Sequence, residues 1–568
     1  MKVSQFKEVL VGASKQRNFW KPAWIAPLGL FLTLSGGTRA IAAEKIFVSY
    51  SLLQIAIPVS DLEIYAYQGK LSPTLQNYAK LLKPEQLKQL REALRTRIDL
   101  SPSVVSQFLY TPTGEKILAH ASTLVKAKTQ SSSVQALRAA LILASADPGG
   151  LTALNLFKHY PDQGLELDVT KGLQVFRTVQ QLVQKTNNAL ATIRDKSDAA
   201  ATQDPAAPLP DIMALQKPGS LTWQVSTLTL NDTSQRRMKI SLQSRQYQAD
   251  LYLPRGRSQP MPLVLVSHGL GSGRLAFRYF AEHLASHGYV VAVPEHPGSS
   301  GKQLEALLNN QETDVSRPTE FIDRPLDMSF LLDELLRRNQ IDPLLKGQIN
   351  PDQVGVMGHS YGGYTALALA GATLTFSPLK QDCAPNPLAQ SLNLSLLIQC
   401  QALSLPQKSY PLADSRIKGA IAVNPIGGSI FAPAGYRTLQ APAMLIAGTA
   451  DTVAPPLLEQ LRPFSWMSFP QKHLVLMDGG THFSTTDALP SSDRRFTTPK
   501  ELVGRTPEVA RQQMKALGLA FFRTYIQQDG KSSIFLTSGS IQTQSTRTLS
   551  LSSVTTLTDK DISTERLW

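Results

Sequence analysis

The 568-residue chain is predicted to hold a mostly parallel β-sheet with helices on both faces, preceded by a mainly helical domain. Three observations predict it. From residue 220 onward, short apolar runs alternate with helical patterns, residues 43–194 carry chiefly amphipathic helical spacing, and one serine stands between glycines at a strand-to-helix junction. Length alone calls for at least two folded units, because single cores stop growing at roughly 250–300 residues.

The first 42 residues read as an export signal. A basic leader ends at Lys21, an apolar stretch runs from about Ala23 to Leu34, and Ala40-Ile41-Ala42 supplies small residues for cleavage before Ala43. This implies a periplasmic or secreted protein, the alternative being an inner-membrane anchor formed by an uncleaved signal. No later stretch is long and apolar enough to predict a spanning helix. The net charge of +14 falls to +9 beyond residue 42, because that leader holds six basic residues against Glu8 alone. The remaining charge is spread along the chain, which argues against a nucleic-acid partner. It is compatible with peripheral association with the membrane or envelope.

Residues 43–194 open on a strand pattern at Phe47 to Leu52 and continue as helices. Ser72-Pro73 and Ser101-Pro102 each place a capping residue before a proline suited to the first helical turn. Leu87, Leu90, Leu94 and Ile98 share a helical face, and further helices are predicted over Val134 to Ser145 and Leu173 to Ile193. Residues 195–219, rich in Ala, Asp and Pro, read as a solvated linker.

The catalytic domain is predicted over residues 220–529. Its buried strands are Leu263–Val266, Tyr289–Val293, Gln353–Met357, Ile417–Val423, Ala443–Ala447 and His473–Met477. An insertion covers residues 373–411 and holds both cysteines, Cys383 and Cys400, which either bridge in an oxidising compartment or remain two buried thiols. Residues 530–568 are Ser/Thr-rich and read as a loosely packed tail.

In an open α/β sheet the ligand site lies beyond the carboxyl ends of the strands, and the reactive residue types cluster there. Gly358-His359-Ser360-Tyr361-Gly362 follows a strand and precedes a helical run, the pattern of a nucleophile elbow. A serine hydroxyl needs an imidazole to accept its proton. His482, in the loop after the strand ending at Met477, is the best placed of nine histidines. His296 also follows a strand but precedes the serine, against the order serine, acid, histidine. Asp451, directly beyond Ala443–Ala447, is predicted to orient the imidazole, with Asp478 as its nearest competitor. Oxyanion donors are predicted at the backbone N–H groups of Tyr361 and Leu270, the latter in the loop Ser267-His268-Gly269-Leu270-Gly271. That loop departs from a dinucleotide fingerprint because Arg274 replaces the last glycine.

These residues resemble those of a known superfamily. Ser267 to Gly271, Leu284-Ala285-Ser286-His287-Gly288-Tyr289-Val290-Val291 and Glu295-His296 are similar to the matching stretch of platelet-activating-factor acetylhydrolases. Arg324-Pro325-Leu326-Asp327, the elbow with Gly363, and Asp451 to Pro455 resemble dienelactone hydrolases and bacterial polyester hydrolases. The resemblance covers about residues 245–526 and implies the α/β-hydrolase fold. Residues 44–170 resemble an uncharacterised domain attached to such hydrolases in cyanobacteria, which implies a bacterial exported enzyme. In the acetylhydrolases the acid follows the strand equivalent to Ile417–Val423, whereas this chain has Asn424-Pro425 there. The expectation is an esterase or lipase acting on small-molecule or lipid esters, with short-acyl or phospholipid-like esters foremost, and without metal or organic cofactor. Alternatives are a polyester hydrolase or peptidase of the same fold, or a catalytically inactive envelope-binding protein.

Overall fold

Pro after a polar capping residue starts several helices of the N-terminal region, and β-branched and aromatic residues are frequent in its first two strands. The computed structural model describes residues 43–562 apart from 51–52, 81–82, 99, 129–131, 258, 385–392, 488–502 and 505. The predicted export signal therefore lies outside the described residues. Ser72 and Ser101 accept hydrogen bonds from Leu75 N–H and Val104 N–H at 3.2 and 3.4 Å, capping helices Pro73–Ala79 and Pro102–Leu109. This region is not helical alone. Lys45–Tyr50 (β1), Leu53–Pro58 (β2), Val125–Ala127 (β3) and Gly164–Asp168 (β4) form a sheet in the order β2-β1-β4-β3.

The predicted linker is a correction. A helix runs unbroken from Val169 to Gln203, and another spans Leu209–Gln216. Ala199-Ala200-Ala201 favours helix more strongly than the flanking aspartates oppose it, and the prolines at 205 and 208 mark its end. Leu182, Ala189, Leu190 and Ile193 of this helix join the core on one face of the catalytic sheet.

That sheet holds nine described strands, and runs of buried, mostly apolar residues build its centre. Trp223–Asp232 (β5), Arg245–Pro254 (β6), Met261–Ser267 (β7), Val290–Pro294 (β8), Ile349–His359 (β9), Ile417–Val423 (β10), Ala443–Gly448 (β11), Lys472–Met477 (β12) and Leu551–Val554 (β13) lie in the order β13-β12-β11-β10-β9-β7-β8-β6-β5. Strands β7 to β12 pair in parallel, whereas β5, β6 and β13 add antiparallel edges. All seven residues of β7 and all five of β8 are buried, as expected of strands covered on both faces. The second correction follows from β13: the supposed loose tail closes one edge of the sheet, with Leu549, Leu551 and the helix Ser538–Gln542 packed into the core.

The helix Glu320–Ile341 contains Pro325, whose missing N–H leaves the carbonyl of Phe321 without its helical partner. Tyr364 Oη–H donates to that carbonyl at 2.6 Å and so docks the helix after the elbow against this one.

Candidate active site

β9 passes into the helix Tyr361–Leu369 through a single residue, Ser360, whose φ of 56° and ψ of −116° lie in a region that L side chains rarely adopt. The neighbouring glycines make this turn sterically feasible. A Cβ on Gly358 would lie 1.9 Å from the Gly362 carbonyl oxygen, and one on Gly362 would lie 2.0 Å from that of Ser267. Ser360 N–H donates to Val423 O on β10 at 2.9 Å, which ties the elbow to the next strand. The result is a serine hydroxyl above the carboxyl end of the sheet, with the residue 7% exposed.

Asp451 and His482 arrive from the loops after β11 and β12. These loops touch, since a Cβ on Gly448 would come within 2.5 Å of the Gly480 oxygen. His482 Nε2 lies 2.9 Å from Ser360 Oγ, and His482 Nδ1 lies 2.7 Å from Asp451 Oδ2. The other carboxylate oxygen, Oδ1, accepts the N–H groups of Val453 and Ala454, each at 2.8 Å. Sequence order and chain geometry thus bring together the three residues that the sequence singles out. Asp478, the competitor, turns away and pairs with Arg194 at 2.6 Å.

Two residues whose part the sequence did not disclose fix the histidine loop. Burial, with His482 beside it, pushes the His359 pKa down to about 3, so this imidazole is neutral and its Nε2–H donates to His482 O at 2.7 Å. Asn424 donates from Nδ2 to both Thr481 O and His482 O at 3.1 Å, while its Oδ1 accepts Gly448 N–H at 2.8 Å. One amide therefore binds the acid loop to the histidine loop. Only the unusual Asn-Pro pair after β10 could have signalled this position.

The loop after β7 lies against Ser360. A Cβ on Gly269 would stand 3.4 Å from Ser360 Cβ and 3.0 Å from His359 Nδ1. Among the described residues, no backbone acceptor receives the N–H of Leu270 or of Tyr361. The Gly269 carbonyl, part of the same peptide unit as Leu270 N–H, accepts His268 Nδ1–H at 2.7 Å and faces Arg324 Nη2 at 3.5 Å. His296 N–H donates to His268 Nε2 at 3.0 Å, which fixes the His268 tautomer, and burial holds its pKa well below the ordinary value. Arg324 is fully buried. It also donates to His268 O at 2.7 Å and to Ser299 Oγ at 2.8 Å, and its guanidinium stacks 4.5 Å from the Tyr361 ring. A single cation thereby supports both backbone segments that face Ser360. Burial lowers its pKa to about 10 against the opposing pull of Glu320, which leaves it charged at neutral pH.

Elsewhere, Cys383 and Cys400 form a disulfide, with Cα atoms 5.7 Å apart. The insertion also meets the N-terminal region: Gln401 Nε2 donates to Thr113 Oγ1 and to Asp314 Oδ2, each at 3.1 Å. Among the described residues, no group of three or more His, Cys, Asp or Glu is arranged to hold a metal ion.

The fold and this constellation are those of an α/β-hydrolase, and the family comparisons agree. A profile described as "Alpha/beta hydrolase family" matches residues 263–490, and one described as "Alpha/beta hydrolase of unknown function" (DUF1400) matches residues 42–168. The chain belongs to the α/β-hydrolase superfamily. It is similar to the platelet-activating factor acetylhydrolase of Cavia porcellus, 28% identical over 185 residues that make up 27% of this chain and 42% of that protein. The acetylhydrolase of Bos taurus is 27% identical over 19% of this chain and 31% of its own length. The hydrolyase poxO of Penicillium oxalicum is 31% identical over 27% of this chain and 35% of that protein. The chain spans less than half the length of each of these relatives.

Proposed function

We propose that the protein is an exported serine hydrolase that cleaves carboxylic esters through an acyl-enzyme on Ser360. The observation that carries this reading is the continuous hydrogen-bonded chain Asp451–His482–Ser360, at 2.7 and 2.9 Å, at a strained elbow. Ser360 Oγ attacks the ester carbonyl while its proton passes to His482 Nε2, and Asp451 stabilises the imidazolium that forms. The carbonyl oxygen becomes an oxyanion, stabilised by Leu270 N–H and Tyr361 N–H. His482 returns the proton to the departing alkoxide as the ester C–O bond breaks. Water then attacks the acyl-enzyme with the same proton transfers, releasing the carboxylic acid and restoring Ser360.

Similarity to acetylhydrolases supports small-molecule or lipid esters as substrates, and the Cys383–Cys400 bridge supports a periplasmic or secreted location. Ser360→Ala tests the reading, with p-nitrophenyl acetate as substrate and a fluorophosphonate probe as label. The expected result is loss of labelling and a fall in kcat on the order of 10⁴-fold or more. A folded variant that keeps most of the activity overturns the proposal.

A further inference from the structure

The N-terminal region leaves an apolar cavity where it meets the catalytic domain. The cavity has a volume of about 220 Å³ and lies between helix Pro102–Leu109, residues of helix Ser133–Ala146 and helix Gly301–Leu308. Its walls are aliphatic and aromatic throughout, with Val105, Phe108, Leu141 and Leu151 on one side and Leu304 and Leu308 on the other. Leu100 lies at its edge and is 40% exposed, so the cavity opens toward solvent, whereas Val105 and Leu307 are buried.

The position of Leu304 ties this cavity to the candidate active site. A Cβ on Gly271, at a φ of +67°, would lie 2.5 Å from Leu304 Cδ1, so this side chain packs on the same loop that presents Leu270 N–H. The loop and the start of the helix are joined further: Gly271 N–H donates to Ser299 O at 2.8 Å and Gly301 N–H to Ser272 O at 2.7 Å. One leucine therefore separates the loop beside Ser360 from the cavity. The proposed mechanism involves no group in this space. Packed protein interiors avoid voids of this size, and a smaller apolar cavity of ~150 Å³ accepts a benzene ring.

We infer that this cavity binds a medium-length unbranched alkyl chain of the ester substrate, so that the N-terminal region supplies half of the chain-binding site. The inference rests on the ester-hydrolase reading and deepens it by naming the substrate class. An alkyl chain matches walls that offer no hydrogen-bond partner, and Leu304, which packs on the loop beside Ser360, is the side chain that the alkyl chain must pass to bring its ester to the serine. Each methylene that enters such a site strengthens binding by about fourfold. The chain could belong to the acyl group or to the alcohol, and the two sources share this chemistry.

The test uses the full-length protein with Leu141→Trp and Leu308→Trp, which fill the cavity from opposite sides at partly exposed positions. Rates are measured on p-nitrophenyl acetate, on p-nitrophenyl octanoate and, by acid release, on octyl acetate. Wild-type protein should prefer one octyl-chain substrate over its short counterpart, and the octanoate and octyl acetate arms identify which side of the ester enters. Both variants should lose that preference by about tenfold or more, consistent with exclusion of several methylenes, while acetate turnover and fluorophosphonate labelling stay at wild-type levels. A separate arm measures octanoate or octanol binding to Ser360→Ala protein by calorimetry, with and without Leu308→Trp. Absence of labelling would sink the serine-hydrolase reading, yet the calorimetric arm would still decide the cavity. Unchanged binding and unchanged chain-length preference in both tryptophan variants overturn the inference.

Discussion

Replacing Asp451 by Asn probes the proposed triad at the member for which the acetylhydrolase resemblance points to another strand, and the structure dictates how the new amide must sit. Asp451 Oδ1 accepts two backbone N–H groups, from Val453 and Ala454 at 2.8 Å, so this site admits only an oxygen. The substituted amide must then turn its NH₂ toward His482 Nδ1, the atom now 2.7 Å from Asp451 Oδ2. An NH₂ group donates, so Nδ1 has to accept and the imidazole proton moves to Nε2. That nitrogen faces Ser360 Oγ at 2.9 Å and can no longer take its proton. The expected cost is a fall in kcat of roughly 10⁴-fold, or about 5 kcal/mol, the size associated with a wrong histidine tautomer. Stopped-flow turnover of p-nitrophenyl acetate measures it, with thermal melting to verify that the fold is kept. Asp478→Asn is the contrasting change. Its carboxylate pairs with Arg194 and accepts Ser550 Oγ–H at 3.2 Å, so it should lower stability and leave kcat nearly unchanged. A folded Asp451→Asn protein with kcat within about tenfold of wild type refutes the tautomer argument, since that argument requires several orders of magnitude.

Arg324→Lys should lower kcat by about 10- to 100-fold with little change in KM, less than the ~10²–10³ lost when an oxyanion donor is deleted, because lysine cannot hold His268 O, Ser299 Oγ and the Tyr361 ring together; a KM effect at unchanged kcat would contradict this positioning role. Stability should fall as pH drops below about 6.5. His268 and His296 are held well below the ordinary value by burial, His283 and His359 at about 3 and His473 at about 4, so each stays neutral in the folded chain while the unfolded chain takes up a proton. Each depressed histidine contributes stability that is complete above the unfolded pKa and is lost as pH falls toward the folded one, at roughly 1 kcal/mol per pH unit apiece. Urea midpoints between pH 7 and 4.5 measure the slope, and a flat profile would contradict the burial of these rings.

The parallel centre of the sheet was legible because each of its strands contains a short run of buried, mostly apolar residues. The edges were not. β5 and β6 alternate polar and apolar residues, and β13 is a four-residue segment in a Ser/Thr-rich stretch, so neither matches the signature of a buried strand. The small sheet of the N-terminal region went largely unread for a similar reason, since β3 has only three residues and β4 mixes Gly, Glu and Asp with leucine. At the site, Ser360, His482 and Asp451 were readable because each follows a strand in a fixed chain order. Asn424, His359 and Arg324 act on backbone carbonyls contributed by distant segments, and no local pattern encodes such pairings.

A second Ser–His–Asp chain in the same molecule shows why geometry does not suffice. Ser267 Oγ lies 2.9 Å from His296 Nε2, and His296 Nδ1 lies 2.9 Å from Asp327 Oδ2, distances close to those at Ser360. Yet all three residues are completely buried, so no ester can reach the hydroxyl. Ser267 ends a regular strand, with no strained turn to project its side chain. Asp327 is already shared with Arg237 at 2.6 Å and Arg245 at 3.1 Å, and the nearby guanidinium groups, after burial itself, hold His296 neutral. A base that cannot accept a proton at working pH cannot activate a serine. This inner chain instead links β7, the loop after β8 and the helix Glu320–Ile341 directly behind the loop that carries Leu270. The same three residue types thus stand in two settings: where buried cations surround them they brace the scaffold, and at the strained elbow they form the hydrogen-bonded chain on which the proposed nucleophilic attack rests.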